Sequence, residues 1–293
     1  MLADPGTLPV VVCRFGLPVW FESAQHAVAA NPAWDLAVAD IDVERLIENV
    51  QQSPLASCTL AVHLRSISTV SVEHGLALES AAYGLLQAGP EFATWRAGQP
   101  PTPLSGRPGP VVSTTREGGT LIITLDRPAR HNAISTQLRD ELDDALALAE
   151  VDSAVTSVVL RGNGASFCSG GDLSEFGMRP DAATAHITRL ARSPARRLHH
   201  LRSRTTVQIH GATMGGGIEL AAFADHIIAH PETVIALPEI SLGLIPGAGG
   251  TVSITRRIGR HRTAALALTG QTIGAATAHR WGLVDTIART TDM

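Results

Sequence analysis

Three consecutive glycines, Gly215 to Gly217, run into the apolar stretch IELAAFAD, with a carboxylate, Glu219, just inside it. The pattern predicts a helix that starts at the glycines. The first N–H groups of a helix have no partner within it and favour an anion. Glycine lets a substrate approach that backbone closely. An acid in the first turn can then move protons beside the bound anion. Such a site suits chemistry on a carbonyl that gains negative charge.

Two more glycine-containing turns flank this one in the chain: RGNGASFCSGGDL, residues 161–173, and LPEISLGLIPGAGGT, residues 237–251. The second carries another carboxylate, Glu239. Each turn alone is weak, because glycine-rich turns between strands and helices are common. Taken singly, Glu219 reads as a solvated helix residue and Glu239 as a strand-end carboxylate. Asp172 reads as a helix cap. Cys168, between Phe167 and Ser169, reads as a buried inert thiol, and Ser169 has no GxSxG setting for a nucleophile. The arginines from Arg189 to Arg204, with His199 and His200, read as a solvated helix face, with the phosphates of a ligand or a neighbouring subunit as the sharper option.

Composition excludes several other classes. The chain of 293 residues is 44% hydrophobic, enough for a substantial core. Aromatics are 4% and the net charge is −4, so nothing global points to nucleic acid. All 23 basic residues are Arg, which rules out a lysine Schiff base and a P-loop lysine. The twelve histidines show no ligand spacing, and no metal is expected. No apolar run is long enough to span a bilayer, and the N-terminus lacks a signal-peptide pattern. Cys13, Cys58 and Cys168 form no CxxC pair and suggest a reducing, cytoplasmic setting.

The elements that must position these turns divide at residues 98–110, GQPPTPLSGRPGP, which read as a linker. Before it lies a mainly helical region, residues 1–97, with a short strand from Val10 to Cys13. Asp40 or Asp42 caps a helix through Val43, Leu46, Ile47 and Val50, which Pro54 ends. A second helical stretch runs from about Val70 to Trp95 and bends near Gly89-Pro90. After the linker, VVSTT and TLIITL form a hairpin. Ser135 caps a helix with Leu138, Leu142 and Leu146 on one face. TSVVLRG, TTVQIHG, HIIAH and TVIALPE follow as strands. The chain is helical from about Ala248 to Trp281 and ends in strand-like LVDTI. Strands alternating with helices imply an α/β architecture.

In this order, the segments RPARHNAIS (127–135), SFCSGGDL (166–173), HGATMGGGIELA (210–221), LPEISLGLIPGAGGT (237–251) and GRHRTAALALTGQTIGAATAHRWGLVD (259–285) resemble the crotonase superfamily, the enoyl-CoA hydratase/isomerase family. The resemblance runs from about residue 111 to 287. It implies an α/β fold with a ClpP/crotonase-like ββα spiral core and additional helices, the core being residues 111–293. It implies that Gly171 and Gly216 supply the two N–H groups of an oxyanion hole, and that Glu219 and Glu239 are the two catalytic glutamates. By the same resemblance Arg127, His131, Ala133, Ser169, Asp172 and Leu173 line the coenzyme A side, mostly through backbone. Coenzyme A enters as part of the substrate, with no separate cofactor. The family also implies an acyl-CoA partner and a homotrimer or hexamer, with neither nucleic acid nor membrane.

One departure stands out. Family members continue into a helical tail after the GLVD segment, whereas only residues 286–293 follow it here. IENVQQSPLAS (47–57) and EHGLALESAAYGLLQAGPEFATWRA (73–97) are similar to that tail. A circular permutation is therefore expected, with the tail helices encoded first and joined through the linker; an unrelated N-terminal domain is the alternative.

The resemblance implies hydration of a 2-enoyl-CoA, with Glu219 activating water and Glu239 transferring the proton at C2. Double-bond isomerisation or related enolate chemistry, with Glu239 sufficient, stays open. So does a non-catalytic acyl-CoA-binding partner of a biosynthetic enzyme.

Overall fold

The computed structural model describes residues 10–12, 18–22, 36–37, 41–67, 69–100, 109–178 and 181–288. The first three of these segments are the short strands β1 (Val10–Val12), β2 (Pro18–Glu22) and β3 (Leu36–Ala37), which form one small sheet. Cys13, expected at the end of β1, lies outside the described residues, as does most of the linker.

Four helices follow: α1 (Val43–Gln52), α2 (Pro54–Ile67), α3 (Val72–Gln87) and α4 (Pro90–Ala97). Asp42 caps α1, accepting from the Arg45 N–H at 2.9 Å. Pro54 does end α1, but it also opens α2, a helix that the sequence reading did not separate. Proline suits a first helical position because its missing N–H would be unpaired there anyway.

The hairpin is present as β4 (Val112–Glu117) and β5 (Thr120–Leu125), followed by α5 (Thr136–Val151), capped by Ser135. Next come β6 (Ser157–Gly162), α6 (Ala182–Ala191), α7 (Pro194–Leu201), β7 (Thr205–Ile209), β8 (Ala212–Met214), α8 (Gly216–Ala221), β9 (His226–Ala229) and β10 (Val234–Ala236). The chain then forms α9 (Gly250–Thr269), β11 (Ile273–Gly274), α10 (Ala275–Trp281) and β12 (Thr286–Ile287). The single helical run expected from Ala248 to Trp281 is thus interrupted. Gly270, at φ 59°, ends α9 in a left-handed turn that glycine adopts without strain.

The main sheet has the order β12-β9-β7-β6-β5-β4, parallel throughout except for the β4–β5 hairpin. A second sheet, β11-β10-β8, stands beside it. Along β6, β7 and β9 buried residues alternate with partly or fully exposed ones, so these strands turn an apolar face to the core.

Helices α1 to α4 pack onto this core. α2 and α3 lie along α9, and α3 also meets α6 and α7. Leu46, Leu60, Leu64, Leu76 and Phe92 belong to the same buried cluster as Leu138, Leu160, Val207 and Ile254. Among the described residues no helix is long and apolar enough to cross a membrane. One expectation meets a contrary observation: Cys58 is disulfide-bonded, whereas the cysteine pattern suggested a reducing setting. Spacing along the chain carries no sign of a bridge between distant cysteines.

Candidate active site

Residues 134, 167–172 and 212–216 are tied together by backbone hydrogen bonds. Phe167 N–H donates to His210 O, and Met214 N–H to Cys168 O. Ile134 N–H donates to Gly170 O at 2.7 Å, and Asp172 N–H to Ile134 O at 3.0 Å. This ladder uses the residues on either side of Gly171. Its own N–H therefore has no protein acceptor among the described residues. The Gly216 N–H stands at the first position of α8, while its neighbour Gly215 donates to Ala236 O. A helix leaves that position's N–H free.

Gly171 and Gly216 line one cavity of about 230 Å³ together with Ile134, Phe176, Glu219 and Glu239. The close approach depends on missing side chains. A Cβ on Gly216 would lie 2.7 Å from Ile134 Cδ1. Gly215, at φ 45°, holds a conformation open to glycine, and a Cβ there would overlap Glu239 Oε1.

Glu219 is 2% exposed. Its Oε2 accepts from Ala248 N–H at 2.7 Å and from Gly250 N–H at 2.8 Å, at the start of α9. Glu239 opens a short 3-10 turn after β10 and is 9% exposed. Its Oε2 has no partner among the described residues. Burial raises the Glu219 carboxyl to about 7, against the opposing pull of the Gly250, Ala248 and Gly247 N–H groups. Burial, then the charge of Glu219, pushes Glu239 well above the usual carboxylate range. Buried acids with displaced ionisation in a cleft mark proton-transfer sites.

A third glutamate joins them. Glu79, from α3, is 2% exposed. It accepts from Gly249 N–H at 2.6 Å, Thr251 N–H at 2.9 Å and Thr251 Oγ1 at 2.5 Å. Burial, then the Glu219 charge, raises it to about 8. Leu76, Ser80, Tyr83 and Gln87 of the same helix also line the cavity. The sequence reading did not find these residues. A carboxylate at the centre of an otherwise apolar helix face was the available signal.

The expected coenzyme-side residues divide. Asp172 lines the cavity, whereas Arg127, His131, Ala133, Ser169 and Leu173 do not. Arg127 and Asp172 are both buried and form an ion pair at 2.7 Å. Asp172 also caps the turn that follows, accepting from Ser174 N–H at 3.1 Å. Arg127 Nη1 donates to Ala133 O, His131 Nδ1 meets Ser166 Oγ at 3.0 Å, and Ser169 N–H donates to His131 O. These side chains and carbonyls hold the 127–133 turn against the 166–173 turn. Cys168 is buried and its thiol is pushed up to about 12, as for an inert cysteine.

The arginine patch is largely engaged within the chain. Arg189 donates to Ser80 and lies over the Tyr83 ring, its Cζ 5.0 Å from the centroid. Arg192 and Arg197 pair with Asp144 and Asp143, and Arg197 also with Glu150. Neither a purely solvated face nor a set of uncommitted phosphate ligands describes it.

With this geometry established, comparison with known proteins defines the class. The profile of the family Enoyl-CoA hydratase/isomerase matches residues 115–293. The 2,3-dehydroadipyl-CoA hydratase of Escherichia coli is 34% identical over 59% of this chain and 67% of its own length. A probable mitochondrial enoyl-CoA hydratase of Dictyostelium discoideum is 34% identical over 60% of this chain and 62% of its own. The chain thus spans about two thirds of the length of these relatives. Among solved structures, an enoyl-CoA hydratase from Thermoplasma volcanium has a TM-score of 0.57 and 34% identity, covering 61% of this chain and 72% of that one. One from Bacillus anthracis has a TM-score of 0.56 and 31% identity, covering 61% and 70%. The chain belongs to the enoyl-CoA hydratase/isomerase family, and its α/β fold is the crotonase fold.

Proposed function

We propose that the protein is an enoyl-CoA hydratase that adds water across the double bond of a 2-enoyl-CoA thioester. The observation that carries this reading is the convergence of Glu219 and Glu239 in one cavity with the N–H groups of Gly171 and Gly216. The thioester oxygen sits between the two N–H donors. Ionised Glu219 takes a proton from water as the water oxygen bonds to C3, and the enolate charge collects on the thioester oxygen. Protonated Glu239 then delivers a proton to C2. Proton exchange between the two carboxyls restores the starting state. The Ala248 and Gly250 N–H groups on Glu219 Oε2 favour its ionised form and suit it to the base role, while Glu239, raised by burial and the Glu219 charge and without a donor on Oε2 among the described residues, suits the acid role. One lost oxyanion donor costs ~3 kcal/mol in comparable sites.

Mixing the protein with a short 2-enoyl-CoA tests this. Loss of the enoyl thioester absorbance, with a 3-hydroxyacyl-CoA product by mass, is expected. A shifted double bond without added water would instead favour isomerisation. Binding of coenzyme A thioesters without turnover would favour a non-catalytic role.

The helices α1 to α4 stand, in this reading, in the place of the family tail, as a circular permutation predicts. The packing of α1, α2 and α3 on α9 and the share of α3 in the cavity wall support it. A homotrimer or hexamer belongs to the same reading. Leu78 and Leu85, two exposed apolar residues seven apart on α3, offer a face for it, and the mass in solution tests it.

A further inference from the structure

The start of α9 is shared between two buried carboxylates in strict alternation. Glu219 takes the N–H groups of Ala248 and Gly250, and Glu79 takes those of Gly249 and Thr251. The two glutamates come from opposite ends of the chain's order: Glu219 from α8 and Glu79 from α3, which lies outside the residues matched by the family profile. A helix start carries orphan N–H groups that favour negative charge. Here that anion-binding end holds two carboxylates, each on its own pair of donors, so a shift of either moves the backbone that holds the other.

The rest of the α3 face fits the same turn closely. A Cβ on Gly75 would lie 2.8 Å from Val252 Cγ2, one on Gly247 would overlap the Tyr83 ring, and one on Gly249 would lie 3.1 Å from Leu76 Cδ2. Thr251 extends the arrangement. Its Oγ1 donates to Glu79 Oε2 and meets His63 Nε2 from α2 at 2.9 Å. Burial lowers His63 to about 4, so the ring is neutral and its Nε2–H can donate to Thr251. The chain His63, Thr251, Glu79 thus ties the turn to α2 and α3.

We propose that Glu79 is a positioning residue of the reaction: it fixes the turn 248–251 that presents Glu219 to the substrate water. This rests on the reading that Glu219 handles a proton during hydration. Glu79 does not itself touch the reacting atoms. α3, encoded before the linker, is therefore part of the active site and not an appendage to it.

The charged and titratable groups around Glu79 are Glu219 from α8, Glu239 after β10, His63 from α2 through Thr251, and Tyr83 on its own helix, while Arg189 and His186 of α6 both meet the next residue, Ser80. Glu79 and Glu219 interact directly, so the two carboxyls lose their protons as a linked pair. Replacement of Glu79 by glutamine leaves a single step.

The test uses Glu79→Gln in the full chain, with two readouts. Hydration of a short 2-enoyl-CoA is expected to lose about 10²-fold in kcat, as for a misplaced catalytic group, with KM nearly unchanged. Carbon-13 labelling of the glutamate carboxyls is expected to show Glu219 titrating in two linked steps in the parent and in one in the variant. Thr251→Val, which removes one bond to Glu79 and keeps the shape, is expected to give a smaller loss of the same kind; it carries the test should Glu79→Gln not fold. A folded Glu79→Gln with parental kcat and an unchanged Glu219 titration overturns the proposal. A parent that titrates as expected but hydrates no 2-enoyl-CoA overturns the hydratase reading and leaves the Glu79–Glu219 linkage standing.

Discussion

Glu239 Oε1 occupies the space where a Cβ on Gly215 would stand. The first glycine of the run is therefore the floor on which the second carboxylate rests, while the next glycine offers its N–H to the cavity. Gly215→Ala is expected to displace the Glu239 carboxyl and to force a side chain into a backbone conformation at φ 45°. The strain costs ~1–3 kcal/mol. Turnover is expected to fall by about 10²-fold or more. A thermal melt and a kcat measurement on one preparation separate the two effects.

The buried glutamates predict an unusual pH dependence of stability. The Glu219 carboxyl ionises near 7 and that of Glu79 near 8 in the folded chain, above their ordinary value. Between the unfolded and folded values the native state holds more protons than the unfolded state, so stability falls as pH rises. The contribution is fully present below about pH 4.5 and is lost as pH rises to about 7–8, at up to roughly 1.4 kcal/mol per pH unit for each group. Denaturant midpoints between pH 5 and 8 check this, and Glu219→Gln is expected to flatten the slope.

Arg127 and Asp172 are expected to act through structure. Arg127→Met leaves Asp172 as a buried carboxylate without its ion pair, and breaking such a pair costs ~3–5 kcal/mol. The double variant Arg127→Met/Asp172→Leu removes both charges and is expected to recover much of the loss. Chemical unfolding of the three proteins measures it.

The helices before the linker share a core with the sheet. A protease site introduced within residues 101–108 and cut after folding is therefore expected to leave two fragments that co-elute and keep activity. Fragments that separate without denaturant would contradict the common core.

How much of this was legible follows from distance along the chain. Gly171, Gly216, Glu219 and Glu239 lie in short glycine turns that carry the family resemblance, and one cavity is lined by all four. Ser135 was legible as a cap for the same reason, and the cap of α1 as one of two aspartates, of which Asp42 accepts from Arg45 N–H. Glu79 was not, because its partners Gly249 and Thr251 stand 170 and 172 residues away and helical spacing reads it as one residue on a core face. Arg189 read as surface charge, since nothing near it reveals Ser80 and Tyr83. Pro54 read as a stop, because a proline that ends one helix and opens the next looks the same in sequence.

In the proposed hydration both carboxylates of the cavity are needed, Glu219 as base toward water and Glu239 as acid toward C2. The most direct test is kcat for hydration of a short 2-enoyl-CoA by the parent, Glu219→Gln, Glu239→Gln and the double variant. Each single change is expected to cost about 10²–10⁴-fold, and the double change little more than either, because the pair acts as a unit. Hydration by Glu219→Gln at the parental rate would contradict the account.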